Sequence, residues 1–241
     1  MPRSYLSSEF LQYLVDFGPA NGEPQRLPAL SQLSQELGVS ISRLREQLEV
    51  ARALGLVEVR PRTGIRRLPY TFSPAVWQSL SYAVELDRAN FDAFSGMRNS
   101  LEAAYWYEAI ALLTASDVSH LQDLMESAWL KLRSPQVKIP HAEHRQLHLG
   151  IYHRLDNPFV LGILEAYWEA YEAIGLNMYA DYEYLQQVWN YHQRMVDAIS
   201  TGDFSGGYQA LVEHKDLLYH RPVAALMFNG STINDAVQPE K

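Results

Sequence analysis

The chain has 241 residues, no cysteine and eight histidines, so imidazole nitrogen is the one strong soft-metal donor it can offer. Three of the eight fall in the octet HAEHRQLH at 141–148, and His153 follows shortly after. Imidazoles are costly to cluster without a use, because neighbouring rings cannot all become charged without repulsion. The chemistry open to such a group is metal ligation or proton relay, and the alternative is an ordinary helix surface. Residues four apart share a helix face, so His144 and His148 project together at the spacing by which two imidazoles reach one ion. His141 lies three residues before His144 and falls near the same stripe, whereas His153 rotates off it. Two ligands on one helix do not make a site, so facing helices must supply the rest. Two later segments each offer one. His192, in NYHQRMVDAI, shares the apolar register of Val188, Met195 and Ile199, and His214, in LVEHKDLLY, shares that of Leu211 and Leu218. Taken singly, each is more often a hydrogen-bonded core histidine than a ligand.

The elements that must hold these rings are helical. Ser73-Pro74 reads as an N-cap followed by proline in the first turn, opening a helix to about residue 88. A second helix runs over about 92–113, with Phe94, Met97, Leu101, Tyr105 and Ile110 as its expected inner stripe. SDVSHLQDLMESAWLKL at 116–132 is a third. After the connector SPQVKIP, the octet begins a helix reaching Leu155. Asp156 or Asn157 caps the next, which starts at Pro158 and continues to about 177. Two more span roughly 181–201 and 205–220, separated by TGD, and a polar tail follows from Asn229. No strand pattern competes, so this half reads as an antiparallel helical bundle.

The first 70 residues read differently. YLSSEFLQYLVDF places Leu6, Phe10, Leu14 and Phe17 at helical spacing over 5–17, and GPANGEPQRLP reads as loop. Leu30, Leu33 and Leu37 form an apolar stripe stopped by Gly38. Ser40 or Ser42 then caps a helix over about 41–53 with Leu44, Leu48 and Ala51 inward. Two short helices on a tight turn make a helix-turn-helix. LGLVEVRPRTGIRRLPY follows as a two-stranded hairpin turning at Pro61–Gly64 and carrying Arg60, Arg62 and Arg66, the shape of a wing. In such a module the second helix enters the major groove, where Ser40, Ser42, Arg43 and Arg45 are the candidates to meet bases and phosphates. Any αα-corner resembles a helix-turn-helix, but here the turn glycine, the arginine-bearing hairpin and the charge all agree.

That charge is uneven. The chain carries a net charge of −8. Residues 1–70 hold nine arginines against seven acids, while 41–67 hold seven arginines against three glutamates. A basic head on an acidic body is a two-domain signal, with a boundary near 70, a helical domain over 71–228 and a flexible tail over 229–241. A hydrophobic content of 47% suits a soluble globular protein. The absence of a ~20-residue apolar run argues against a membrane span. The first residues lack the basic start and cleavage site of a signal peptide. With no disulfide framework either, the expected setting is cytoplasmic.

The string LPALSQLSQELGVSISRLREQLEVARALGLVEVRPRTG resembles the winged-helix head of the GntR family of bacterial transcription regulators. The shared frame is Leu27-Pro28, then Leu37-Gly38-Val39-Ser40, Leu44-Arg45-Glu46, Leu48, Gly55-Leu56-Val57 and the wing's Arg62-x-Gly64. Two departures are Ser31 and Ile41, at positions where the family usually or often has arginine. The body resembles the all-helical FCD domain of the FadR-like branch, through Arg98-x-x-Leu101-Glu102, Leu147-His148, Asn157-Pro158, His192-x-x-x-Val196-x-Ala198-Ile199-x-x-Gly202-Asp203 and His214.

That resemblance implies a mainly α fold, with an N-terminal winged helix-turn-helix, an antiparallel helical bundle and Arg62 and Gly64 in the DNA-contacting wing. It also implies a divalent metal on His148, His192 and His214. Many members place an aspartate four residues before the first histidine; His144 stands there in this chain. An all-nitrogen set favours zinc or nickel over harder ions. A bound ion with open positions would take an oxygen of a small organic acid effector. Arg98 is a candidate anion partner because its fork suits carboxylates, with an ion pair to Glu102 or another acid the equal alternative. Tyr105 is a candidate cavity residue beside Trp106 and Tyr107, and at most one or two of these three can face inward.

Three functions follow as expectations. The first is a homodimeric, metabolite-responsive regulator in which the effector changes affinity for double-stranded operator DNA. The second is a regulator that senses the metal itself. The third, a histidine-site metalloenzyme, leaves the basic head unexplained and has no positioned base, since helical geometry turns Glu143 away from His144 and His148.

Overall fold

The computed structural model describes residues 5–6, 8–17, 25–176, 181–215 and 217. These are mainly helical, with one small antiparallel sheet near the start. They group into two compact units, residues 1–112 with 151–170 and residues 113–150 with 171–241.

The first unit begins with α1 (Glu9–Asp16), β1 (Gln25–Arg26), α2 (Leu30–Leu37) and α3 (Ile41–Ala53), followed by β2 (Val57–Arg60) and β3 (Gly64–Arg67). α1 starts at residue 9 rather than 5 because the Ser8 hydroxyl accepts from the Leu11 N–H and caps the helix there. Phe10 and Leu14 are buried as expected, while Leu6 and Phe17, the outer members of the stripe, are exposed. α2 stops at Gly38, whose φ of 65° is the left-handed value that side chains avoid. α3 opens at once with the Ser40 hydroxyl accepting from the Arg43 N–H. Gly55, also left-handed, is demanded twice, since a Cβ there would run into the ring of Pro74.

The wing gains a strand. β3 pairs with β2 on one side, and on the other with Gln25–Arg26, giving the order β1-β3-β2. A two-residue strand wedged between prolines has no periodicity to read, which is why that segment looks like pure loop in sequence. Ten buried side chains from Phe10 to Ile65 tie α1, α2, α3 and the sheet into one apolar cluster.

The same unit holds α4 (Ser73–Leu86), α5 (Ala89–Ala111) and all but the end of α8 (Pro158–Ala173). Ser73 is the first helical residue and not the cap; Phe72 occupies the cap position, and the buried Ser73 hydroxyl points to Glu169. α5 corrects the expected stripe. Its buried residues are Phe91, Ser95, Arg98, Asn99, Glu102, Trp106, Ala109 and Ile110. Phe94, Leu101 and Tyr105 are only partly buried and Met97 is exposed. The inward face is partly ionic, so the outward face looks more like a core by hydrophobicity alone.

The second unit contains α6 (Ala115–Leu132), most of α7 (His141–Tyr152), α9 (Tyr182–Thr201) and α10 (Phe204–Lys215). Thr114 and Asp117 form a reciprocal capping box on α6. Asp181 caps α9 by accepting from the Glu183 and Tyr184 N–H groups, and left-handed Gly202 ends it. α9 packs against both α6 and α10. α7 ends at Tyr152, short of the expected Leu155, and α8 ends at Ala173. The expected ends near 177 and 220 and the tail beyond Asn229 lie outside the described residues. No helix among the described residues is long and apolar enough to cross a membrane.

Candidate metal centre

Within the second unit, α7, α9 and α10 bring four imidazoles together. His144, His148, His192 and His214 each offer a ring nitrogen, and the four nitrogens all lie within 4.8 Å of one another. His148 and His192 are completely buried, His214 is 8% exposed, and His144 is half-buried. The Nε2 atom of His192 stands 3.1 Å from that of His148 and 3.1 Å from that of His214.

Local contacts fix each helix. Glu143, one residue before the first ligand position, turns to α6, where Lys131 lies 2.5 Å away and the Ser127 hydroxyl donates at 2.9 Å. Burial pushes the Glu143 carboxyl up, yet hydrogen bonds from Lys131, its own backbone N–H and Ser127 outweigh it and hold the group below its ordinary value. Glu143 therefore clamps α7 and is not a base for the histidines. On α9, Gln193 accepts from the Trp129 indole at 2.9 Å, and Arg194 pairs with Glu213 of α10 at 2.8 Å. Trp189 meets His192 at 4.9 Å and His144 at 6.0 Å between ring centroids, and Tyr171 stands edge-on to His144. These two aromatic walls were not singled out from sequence. Trp189 sits three residues before His192, the one signal that could have marked it.

His141 and His153 stand outside the group. His141 stacks on Tyr171 and bonds to Glu172, which Arg145 also holds at 3.0 Å. His153 is exposed, as its rotation off the stripe predicts.

The donor set fits a divalent ion. A neutral imidazole has one N–H and one lone pair, so the Nε2 of His192 cannot serve two neighbouring ring nitrogens equally well, whereas an ion accepts every lone pair aimed at it. A tetrahedral ion with metal–nitrogen bonds of about 2.0–2.1 Å holds its ligands roughly 3.3–3.4 Å apart, close to the 3.1 Å separations seen here.

The remaining sequence candidates lie in the first unit. Arg98 is buried, its Nη2 2.8 Å from Glu102 and its Nη1 donating to Asn99 at 3.1 Å, with its guanidinium over Tyr167. Tyr105 is half-buried and its hydroxyl accepts from Asn157 at 3.3 Å; Trp106 is fully buried and Tyr107 exposed. In the head, Ser42, Arg43, Arg45, Arg62 and Gly64 are all exposed, as a contact surface requires. The hydroxyl of Ser40 serves the helix cap, and Arg43 reaches Glu9 at 2.7 Å. Arg62 is the one non-glycine with positive φ among the described residues, and it sits at the wing turn.

Comparison with known proteins follows the same lines. Residues 95–217, just over half the chain, match the family described as the FCD domain. A relative in Escherichia coli strain K12, the HTH-type transcriptional regulator YieP, is 29% identical over 195 residues, covering 76% of this chain and 80% of that one. Among solved structures, Streptococcus agalactiae GntR aligns at 15% identity with a TM-score of 0.58, over 88% of this chain and 95% of its own. E. coli McbR/YncC aligns at 20% identity with a TM-score of 0.49, over 89% and 97%.

Proposed function

The chain belongs to the GntR family of transcriptional regulators, with an FCD domain as its helical part, and we propose that it is a metabolite-responsive, DNA-binding regulator that holds a divalent ion on His144, His148, His192 and His214. Regulators of this type bind operator DNA. The observation that carries the metal reading is the convergence of four imidazole nitrogens, three of them on buried residues, without a carboxylate among them. All-nitrogen ligation favours zinc or nickel. Such an ion supplies a Lewis-acid point to which a small organic acid can present an oxygen. Arg98 and Tyr105, the other effector candidates, are engaged by Glu102, Asn99 and Asn157, so the effector reading rests on the histidine cluster.

The reading divides the chain into a DNA-binding head over 1–70, an effector and dimerisation domain over 71–228 and a tail over 229–241, acting in the cytoplasm as a homodimer and not as an enzyme. Ser40, Ser42, Arg43, Arg45, Arg62 and Gly64 form its DNA surface. Effector binding would alter operator affinity through a coupling of about 1–3 kcal/mol, as is usual for linked sites. A second reading, in which the ion is itself the signal, is favoured by His144, because a fourth protein nitrogen leaves fewer positions for an exogenous oxygen.

The test is metal analysis of tag-free protein followed by thermal-shift screening of small organic acids with and without chelator. An upward shift for one acid, removed by chelator and absent in His148→Ala and His192→Ala, is the expected result. Stabilisation by the ion with no acid response assigns the ion as signal. An acid response that persists in both variants rejects the site. For the head, Arg45→Ala is expected to weaken DNA association and lower the salt slope by about one phosphate contact.

A further inference from the structure

Two exposed arginines near the start of α3, Arg43 and Arg45, are held differently. Arg43 donates from Nη2 to one oxygen of the Glu9 carboxylate at 2.7 Å, and the Gln47 amide donates to the other. Gln47 is fixed in turn, because its amide oxygen accepts from the Phe10 N–H at 2.9 Å. Arg45 forms no ion pair among the described residues. An isolated surface pair adds little stability, and an acid in the first turn of a helix is accounted for by the helix dipole. Neither reason requires two side chains of α3 to meet both oxygens of one carboxylate on α1.

On a face that meets DNA, a carboxylate carries a penalty. Charges within a Debye length of about 8 Å are poorly screened, so a phosphate approaching Arg43 is repelled by Glu9. A guanine edge is not, because its O6 and N7 acceptors are uncharged, and they match two parallel N–H groups of a guanidinium. Glu9 takes a single N–H at Nη2. A guanidinium has two such two-donor edges, so one stays open whichever of the two Glu9 engages. We infer, on the reading of the head as a DNA-binding module, that Glu9 is a specificity-determining positioning residue. It orients Arg43 toward the edge of a guanine and keeps it off the phosphates, which fall to the untethered Arg45. Neutral acceptor and anion are thereby sorted by one acid.

The probes are a duplex that the full-length wild type selects from a random pool and a scrambled duplex of the same composition. Affinity for each is measured across salt concentration. Glu9→Gln is expected to tighten binding to the scrambled duplex and steepen its salt slope by about one phosphate contact per head. The selected-over-scrambled ratio should narrow roughly ten-fold, part of what a bidentate arginine–guanine pair supplies. Arg43→Lys keeps the charge and loses the fork, so it should narrow the ratio at least as far while scrambled binding holds. Adding Glu9→Gln to Arg43→Lys should narrow it no further, an outcome that a merely structural Glu9 would not give. Replacing one selected guanine by 7-deazaguanine, which lacks N7, should weaken the wild type and leave Arg43→Lys unchanged. Neither residue is buried, so these variants spare the core. An unchanged ratio in Glu9→Gln, further narrowing on the Arg43→Lys background, or no guanine with that behaviour would each overturn the inference. A full ratio in Arg43→Lys would do the same and make Arg43 a phosphate contact. A wild type that enriches no duplex would instead fail the DNA-binding reading itself, which keeps the two failures apart.

Discussion

Two buried polar clusters in this molecule solve the same problem in opposite ways. In one, Arg98 and Glu102 meet at 2.8 Å, cation against anion, with aromatic rings over the guanidinium. Their charges cancel inside the protein. In the other, four imidazoles aim nitrogen atoms at one point. No carboxylate belongs to the group, and the proposed function gives its lone pairs to a cation. A buried group already neutralised by its neighbour is architecture, whereas a set of like donors gathered within 4.8 Å is the arrangement on which the proposed ion would sit.

The largest test of this contrast falls on the closed pair. Arg98→Met strands Glu102 in the interior and is expected to cost roughly 3–5 kcal/mol, while Arg98→Met with Glu102→Leu should recover much of the loss. Urea unfolding of the three proteins measures both. A double variant no better than the single would show that the pair is not self-contained.

The open cluster should behave otherwise, drawing stability from a ligand. At an ion concentration a hundred times its dissociation constant, binding contributes about 2.7 kcal/mol. Chelation should remove that increment from the wild type and change nothing in His192→Ala. A chelator effect of the same size in both would sever the link between the ion and these rings.

The smallest effect belongs to the exposed relative of the closed pair, Arg43 with Glu9. The Glu9 carboxyl is held below its ordinary value by its own backbone N–H, then by Gln47 and Arg43. A carboxyl lowered on folding stabilises above its unfolded value of 4.5 and loses that contribution as pH falls through the folded value. Glu9→Gln should therefore flatten the acid limb of the stability curve slightly and leave neutral stability nearly unchanged, since solvated pairs contribute little. A steep acid loss that survives Glu9→Gln would place it elsewhere.

Sequence alone pointed to the open cluster and left the closed pair as one of two equal readings of Arg98, which the structure decides for the ion pair with Glu102. His144 and His148 were legible through their i, i+4 spacing; the apolar register of Val188, Met195 and Ile199, all buried, placed His192 inward, and the resemblance to the FCD domain made it a ligand candidate. The helix-turn-helix was legible because Gly38 and Ser40 announce a turn and a cap by chemistry, not by pattern. α5 was misread because a face carrying Arg98, Asn99 and Glu102 counts as polar in any hydropathy pattern, while Phe94 and Met97 on the other side mimic a core. β1 escaped because two residues have no period. Ser73 was taken for a cap because the Ser-Pro pair suits that position, yet Glu169 draws its hydroxyl inward.

The central claim is that four imidazoles form one cation site. Equilibrium dialysis of tag-free protein against zinc, followed by elemental analysis, tests it most directly. The account predicts a single tightly held equivalent per chain, lost when His148 and His192 are both replaced by alanine. Retention of that equivalent in the double variant, or none in the wild type, would contradict it.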